Sequence, residues 1–252
     1  MQVYLAVTPQ EAPSATVYTV SLVCMAYHIG PNSTLMRRNA LLQNQGGLLA
    51  VSEQGAPLVE DPHALCTPVL RECSRRNYDG VFLNFATPVR HDLLQFAKQL
   101  DGMLYKNRKK LYLNKEYISS CPEAFLLVDT ALSGGSLSEH LQQAAKQHGN
   151  RSALRIERLQ MDFSLPARSG TGLPLTKRDF TALLEEKSPS IYFSPDLCAR
   201  YFTYQKNHET HFVLFDDAET LKRKLRLGTE LGFSAAFFVW SEIQDIAPQL
   251  LK

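Results

Sequence analysis

The sequence has no Cys-x-x-Cys pair, no Gly-x-Ser-x-Gly elbow, no glycine-rich loop after an early strand, and one tryptophan in 252 residues. Each absence removes a class of chemistry. Zinc ribbons and thioredoxin-type redox sites need closely spaced cysteine pairs, whereas Cys24, Cys66, Cys73, Cys121 and Cys198 are scattered and odd in number. They read as small buried hydrophobes in a reducing compartment. Without the serine elbow there is no α/β-hydrolase nucleophile, and without a phosphate-cradling loop no nucleotide cofactor is expected.

Charge of one sign is also lacking. The 27 basic and 25 acidic side chains leave a net charge of +2 with no long block of either sign. Arg75-Arg76, Arg108 to Lys110 and Lys222 to Lys224 are short clusters suited to solvated faces, so neither nucleic acid nor an anionic membrane is an expected partner. No apolar run approaches the ~18 residues of a membrane span, and Met1 leads directly into Gln2 to Val7 with no basic leader. The expectation is a cytoplasmic protein, unless a signal peptide has been removed from it. His208 and His211 stand three apart in a polar turn with no third ligand nearby, so no metal site is expected.

What is present is ordinary globular material, 44% hydrophobic and 21% charged. A single (β/α)8 barrel domain typically takes about 250 residues, and residues 1–252 are read as one such domain. Eight strand-like segments alternate with helical ones, which argues for a parallel sheet with crossover helices. The strands are expected at Gln2 to Val7, within Thr16 to Ile29, and at Leu48 to Val51, Val81 to Phe85, Lys110 to Leu113, Ala124 to Val128, Ser152 to Phe163 and Ser234 to Val239. Asn32 to Gln45 fits either a helix or a polar hairpin. Short extra strands at Ser190 to Phe193, Arg200 to Tyr204 and Thr210 to Phe215 fall between strands 7 and 8. Helix starts are marked by Asp61-Pro62, by Ser136 with Glu139, and by Asp217. Ser164 to Pro174, rich in proline, glycine and serine, is expected to be an exposed loop.

The segment Tyr78 to Thr87, Tyr-Asp-Gly-Val-Phe-Leu-Asn-Phe-Ala-Thr, resembles the fourth barrel strand of glycoside hydrolase family 18, the chitinase-like fold, whose pattern is Asp-Gly-x-Asp-x-Asp-x-Glu. Asp79 and Gly80 match that pattern. Phe82, Asn84 and Ala86 stand where it has Asp, Asp and Glu. A second likeness lies near the C-terminus: Phe215-Asp216-Asp217, Gly232, Phe237 to Trp240 and Asp245 follow the family's order of Tyr-Asp-Asp, helix, glycine, apolar strand, Trp and acid. Leu126 to Asp129 is similar to the family's strand-six Met-x-Tyr-Asp, with Val128 in place of the tyrosine.

The resemblance implies a degenerate member. The family's strand-four Glu protonates the glycosidic oxygen while a neighbouring Asp orients the substrate acetamido group, and Ala86 has no proton to give. The implied function is non-catalytic, with binding of an N-acetylglucosamine-containing glycan, or of a protein partner, at the C-terminal mouth. Trp240, Asn84, Asp129, Tyr27, Tyr4 and Glu242 are the candidate contacts, with Trp240 as the floor under a sugar ring. One alternative is a glycosidase whose acid pair has moved to other strand ends, with Glu53, Glu116, Asp129, Asp162 and Glu242 as candidates. The other is an interaction scaffold whose mouth is plugged by Phe82 and Phe85.

Overall fold

The computed structural model describes residues 1–38, 45–53, 56, 58–85, 89–166 and 172–251. Ala86 therefore lies outside the described residues. Eight strands close into a ring: β1 (Gln2–Val7), β2 (Ser21–Gly30), β3 (Leu48–Ser52), β4 (Gly80–Asn84), β5 (Lys110–Asn114), β6 (Phe125–Asp129), β7 (Ser152–Ile156) and β8 (Ala235–Val239). All neighbouring pairs are parallel, and β1 bonds to both β2 and β8, which closes the barrel. Gly80 is needed where it stands, because a Cβ there would run into the Lys110 carbonyl of the next strand.

Strand residues alternate faces, and in a barrel wrapped by helices both faces are dry. Val81 and Leu83 of β4 accordingly join the outer layer with Leu49 and Val51 of β3, under the helices Pro62–Arg75 and His91–Lys106. Phe82 joins the inner cluster with Tyr4, Tyr112 and Phe237. The helix starts form as the sequence suggests. Asp61 accepts from the Ala64 amide with Pro62 at the first helical position, Ser136 accepts from the Glu139 amide, and Asp217 forms a reciprocal capping box with Thr220. On the first of these helices Leu65, Val69 and Cys73 are fully buried, as their spacing of four requires.

Several elements differ from the sequence reading. The strand within Thr16 to Ile29 begins only at Ser21, after the single helical turn Ala12–Ala15. Thr34–Arg37 folds back antiparallel on β2, the hairpin alternative for that segment, while 39–44 are outside the described residues. The run Ser152 to Phe163 is two strands. β7 ends at Ile156, and Gln160–Ser164 leaves the barrel for a second sheet. The break falls at Glu157 and Arg158, charges that a barrel wall does not bury.

The second sheet is antiparallel and contains Gln160–Ser164, Leu173–Pro174, Tyr192–Ser194, Ala199–Lys206 and Glu209–Phe215. It lies between β7 and β8 in the chain, where the extra strands were expected. Leu173–Pro174 pairs with Met161 and Asp162, so that end of the expected loop is in the sheet, while 167–171 are outside the described residues. The helix Lys177–Lys187 covers one face, packing Phe180, Leu183 and Leu184 on Phe202, Val213 and Phe215. Among the described residues, no helix is long and apolar enough to cross a membrane.

The Asp216-Asp217 pair locks the sheet to the barrel. The Asp216 carboxylate accepts from Lys224 Nζ at 2.8 Å, from the Leu159 amide at 3.0 Å and from Thr220 Oγ1 at 2.8 Å. The side chains of Asp216 and Lys224 are both 0% exposed. Leu159 is where the chain enters the second sheet and Asp216 is where it leaves, so one carboxylate clasps both ends. Asp217 caps the helix Ala218–Glu230 and pairs with Arg200.

Candidate functional site

Alternation carried to the C-terminal ends of the strands places Ser52, Asn84, Asn114, Asp129 and Arg155 on the inward side at the barrel mouth, each two residues beyond a member of the inner cluster. This is the end of a (β/α)8 barrel where active sites assemble. Arg155 organises it. Its guanidinium pairs with Asp129, reaches Glu157 Oε1 at 3.4 Å, and donates to Asn114 Oδ1 at 3.4 Å. Asn114 in turn donates from Nδ2 to the Phe85 carbonyl at 2.7 Å, which ties the mouth to the end of β4. Asp129 is the more open of the pair, with 48% side-chain exposure against 28% for Arg155.

Below this polar layer the barrel is filled by aromatic rings. Phe237 stacks on Tyr4 at 5.0 Å and meets Phe82 at 5.1 Å and Tyr112 at 4.9 Å; Phe125 packs on Tyr112 at 5.1 Å. These are the offset and edge-to-face separations that aromatic rings prefer. Phe82 thus points inward, as the strand register requires, and occupies barrel space in which a carboxylate would need a partner. Burial pushes the Tyr4 and Tyr112 phenols upward in pKa, consistent with a dry interior.

A cavity of about 1050 Å³ opens above the rings and extends sideways. Asn84 and Asp129 line it, as do Glu53 and Glu116, together with Ser52, Asn114 and Arg155. The last three were missed in the sequence reading, although Ser52, Asn114 and Arg155 each continue the inward parity of Ala50, Tyr112 and Ala153. Parity was therefore the signal available.

The other candidates lie elsewhere. Tyr4 is within the aromatic fill. Tyr27 points outward, because the register between β2 and β3 shifts between Cys24 and Tyr27, and its hydroxyl donates to Glu72 Oε1 at 2.6 Å. Trp240 opens a one-turn helix after β8 and continues the outward parity of Phe238. It is 3% exposed, donates from Nε1 to Ser14 Oγ at 3.0 Å, and packs beside Tyr18. It is core beneath the Ala12–Ala15 turn and does not line the cavity. Glu242 accepts from the Arg158 amide at 2.9 Å, and burial raises its carboxyl pKa.

Asp162 sits in the second sheet, bonded to Tyr204 Oη at 2.7 Å and His211 Nδ1 at 3.1 Å. His208 is exposed in the adjoining turn. Among the described residues no three His, Cys, Asp or Glu side chains cluster as metal ligands. All five cysteines are free and buried. Burial pushes the thiols of Cys66, Cys73 and Cys121 up to about 12, the reverse of what a nucleophile needs.

The closed parallel barrel, the antiparallel sheet inserted after β7 and the polar strand-end mouth define a chitinase-like (β/α)8 fold, that of glycoside hydrolase family 18. The spore cortex-lytic enzyme SleL of Bacillus megaterium superposes with a TM-score of 0.68 at 14% identity, over 97% of this chain and 73% of that one. A chitinase from Chromobacterium violaceum gives 0.67 at 14% identity, over 96% and 94% of the two chains. A family 18 chitinase from Cycas revoluta, solved in complex with (GlcNAc)4, gives 0.69 at 12% identity, over 100% and 98%. By sequence the chain matches no family model and no curated protein.

Proposed function

We propose that this chain is a non-hydrolytic chitinase-like barrel whose mouth binds an N-acetylglucosamine-containing glycan. The observation that carries the reading is the inward face of β4, where Phe82 belongs to an aromatic fill and Asn84 offers an amide at the cavity. Neither can donate the proton that glycosidic cleavage needs, and losing a general acid costs ~10²–10⁴ in rate. Asn84, Asn114 and Ser52 supply donors and acceptors suited to hydroxyl and acetamido groups, while the Arg155–Asp129 pair fixes the far side of the mouth. Few convergent polar groups in a concave site are the usual form of a small-ligand pocket.

Two readings compete. Glu53, Glu116 and Asp129 all line the cavity, so a relocated carboxylate pair would hydrolyse the glycan, and Glu116→Gln would abolish that turnover. The aromatic fill supports a scaffold that engages a protein partner and leaves saccharides alone. Turnover tests the first, and calorimetric titration with N-acetylchitotetraose separates the glycan reading from the scaffold. Saturable binding weakened at least tenfold by Asn84→Ala and by Arg155→Ala supports the glycan reading; no heat up to millimolar ligand overturns it in favour of the scaffold.

A further inference from the structure

The polar groups at the strand ends are largely engaged with one another. Asn114 lies between Arg155 and the Phe85 carbonyl, and Asp129 is held by Arg155. Ser52, Glu53 and Arg90 also have partners. Two side chains differ. Asn84, the last residue of β4, and Glu116, in the single helical turn Lys115–Ile118 after β5, line the cavity without a side-chain hydrogen bond or ion pair among the described residues. Glu116 is half-buried, so its carboxylate meets the cavity with its charge uncompensated.

The cations nearby do not supply the missing charge. Arg155 is shared by Asp129 and Glu157. Arg90 pairs with Asp92 at 2.6 Å and also feels the charge of Glu53. Each arginine thus answers to a pair of carboxylates. Lys115 precedes Glu116 but is exposed, and adjacent residues on a helical turn do not face each other. The mouth therefore combines neutral amides at the ends of β4 and β5 with a surplus of negative charge, and a cleft focuses such a field on an entering ligand.

We propose that the glycan is partly de-N-acetylated and that Glu116 binds the free ammonium of a glucosamine unit. This rests on the glycan reading of the mouth. The acetamido group of a neighbouring unit lies at Asn84 and Asn114, since an amide side chain both donates and accepts. Glu116 follows Asn114 by two residues, at most ~7 Å of chain, which puts the amine site beside the amide site. A sugar hydroxyl would satisfy the hydrogen bonding of Glu116 and leave its charge. An ammonium satisfies both, through a charge-assisted bond.

The test is a calorimetric comparison of N-acetylchitotetraose with its forms that carry one free amine, at mildly acidic pH where the sugar amine is protonated. A hydrogen bond between charged groups is worth roughly tenfold in affinity or more, so the best of the amine forms should bind at least ~10-fold tighter than the fully acetylated compound. Added salt should shrink that preference by screening. Glu116→Gln, which keeps the shape and removes the charge, should bring the ratio of the two affinities close to one. Asn84→Ala should weaken both ligands and leave the ratio in place. Thermal melting followed by circular dichroism identifies the folded variants. In the unsubstituted protein, the side-chain carboxyl resonance of Glu116 should move further with the amine form than with the acetylated one. Equal affinity, or a preference for the fully acetylated compound, overturns the amine inference and leaves the glycan reading standing. A preference that persists in Glu116→Gln also overturns it, by placing the ammonium on another carboxylate. Failure of every compound to bind overturns the glycan reading and this inference together.

Discussion

Replacing Lys224 by Met should cost more stability than most single substitutions in this chain. The ammonium is 0% exposed and lies 2.8 Å from an equally buried Asp216. Its loss leaves the carboxylate with the Leu159 amide and the Thr220 hydroxyl but without a counter-charge. Removing one member of a buried ion pair costs ~3–5 kcal/mol, because the remaining charge stays buried and uncompensated. For a chain of this size that corresponds to a Tm lower by roughly 6–20 °C. The double variant Asp216→Asn/Lys224→Met removes both charges, keeps an acceptor for the Leu159 amide, and should recover much of the loss. Urea and thermal denaturation followed by circular dichroism give both numbers and the coupling between the sites. A loss below ~1 kcal/mol in Lys224→Met, the range of an exposed pair, would refute the clasp, as would a double variant less stable than the single one.

Three further outcomes follow from the same geometry. Phe82→Ala should cost ~3–5 kcal/mol by leaving a cavity among the barrel rings, and should produce no hydrolysis; chemical denaturation with a chito-oligosaccharide assay checks both. Burial pushes the Glu72 carboxyl up, but hydrogen bonds from Arg75, Tyr27 and Arg76 outweigh it and hold the pKa down to about 2 from 4.5. A carboxylate with a depressed folded-state pKa contributes stability above its ordinary value and loses it as pH falls toward 2, so Glu72→Gln should flatten the acid limb of the stability profile. Fluorescence from the sole tryptophan, Trp240, should stay unchanged during saccharide titration and respond only to unfolding, because the indole is buried away from the cavity.

The barrel was legible because β-strands in a two-sided dry environment read as short apolar runs, and helix caps such as Asp61, Ser136 and Asp217 announce themselves in sequence. The Asp-Gly entry to β4 and the Asp216-Asp217 pair could be located as motifs. Their physical roles, a close strand approach and a clasp at both ends of an inserted sheet, required coordinates. The site was legible only in part. Asn84 and Asp129 follow from strand parity, and the same argument would have produced Ser52, Asn114 and Arg155. Trp240 and Tyr27 were misplaced for local reasons: one stands outward at the start of a new helical turn, and the other follows a register shift in β2 that a single sequence does not mark.

The most direct test of the central claim is mass spectrometry of N-acetylchitotetraose held with micromolar protein for a day. The account predicts that the tetrasaccharide persists intact while the protein binds it. Shorter N-acetylglucosamine oligomers that accumulate with protein concentration, and disappear in Glu116→Gln, would contradict it and place a working carboxylate in the mouth.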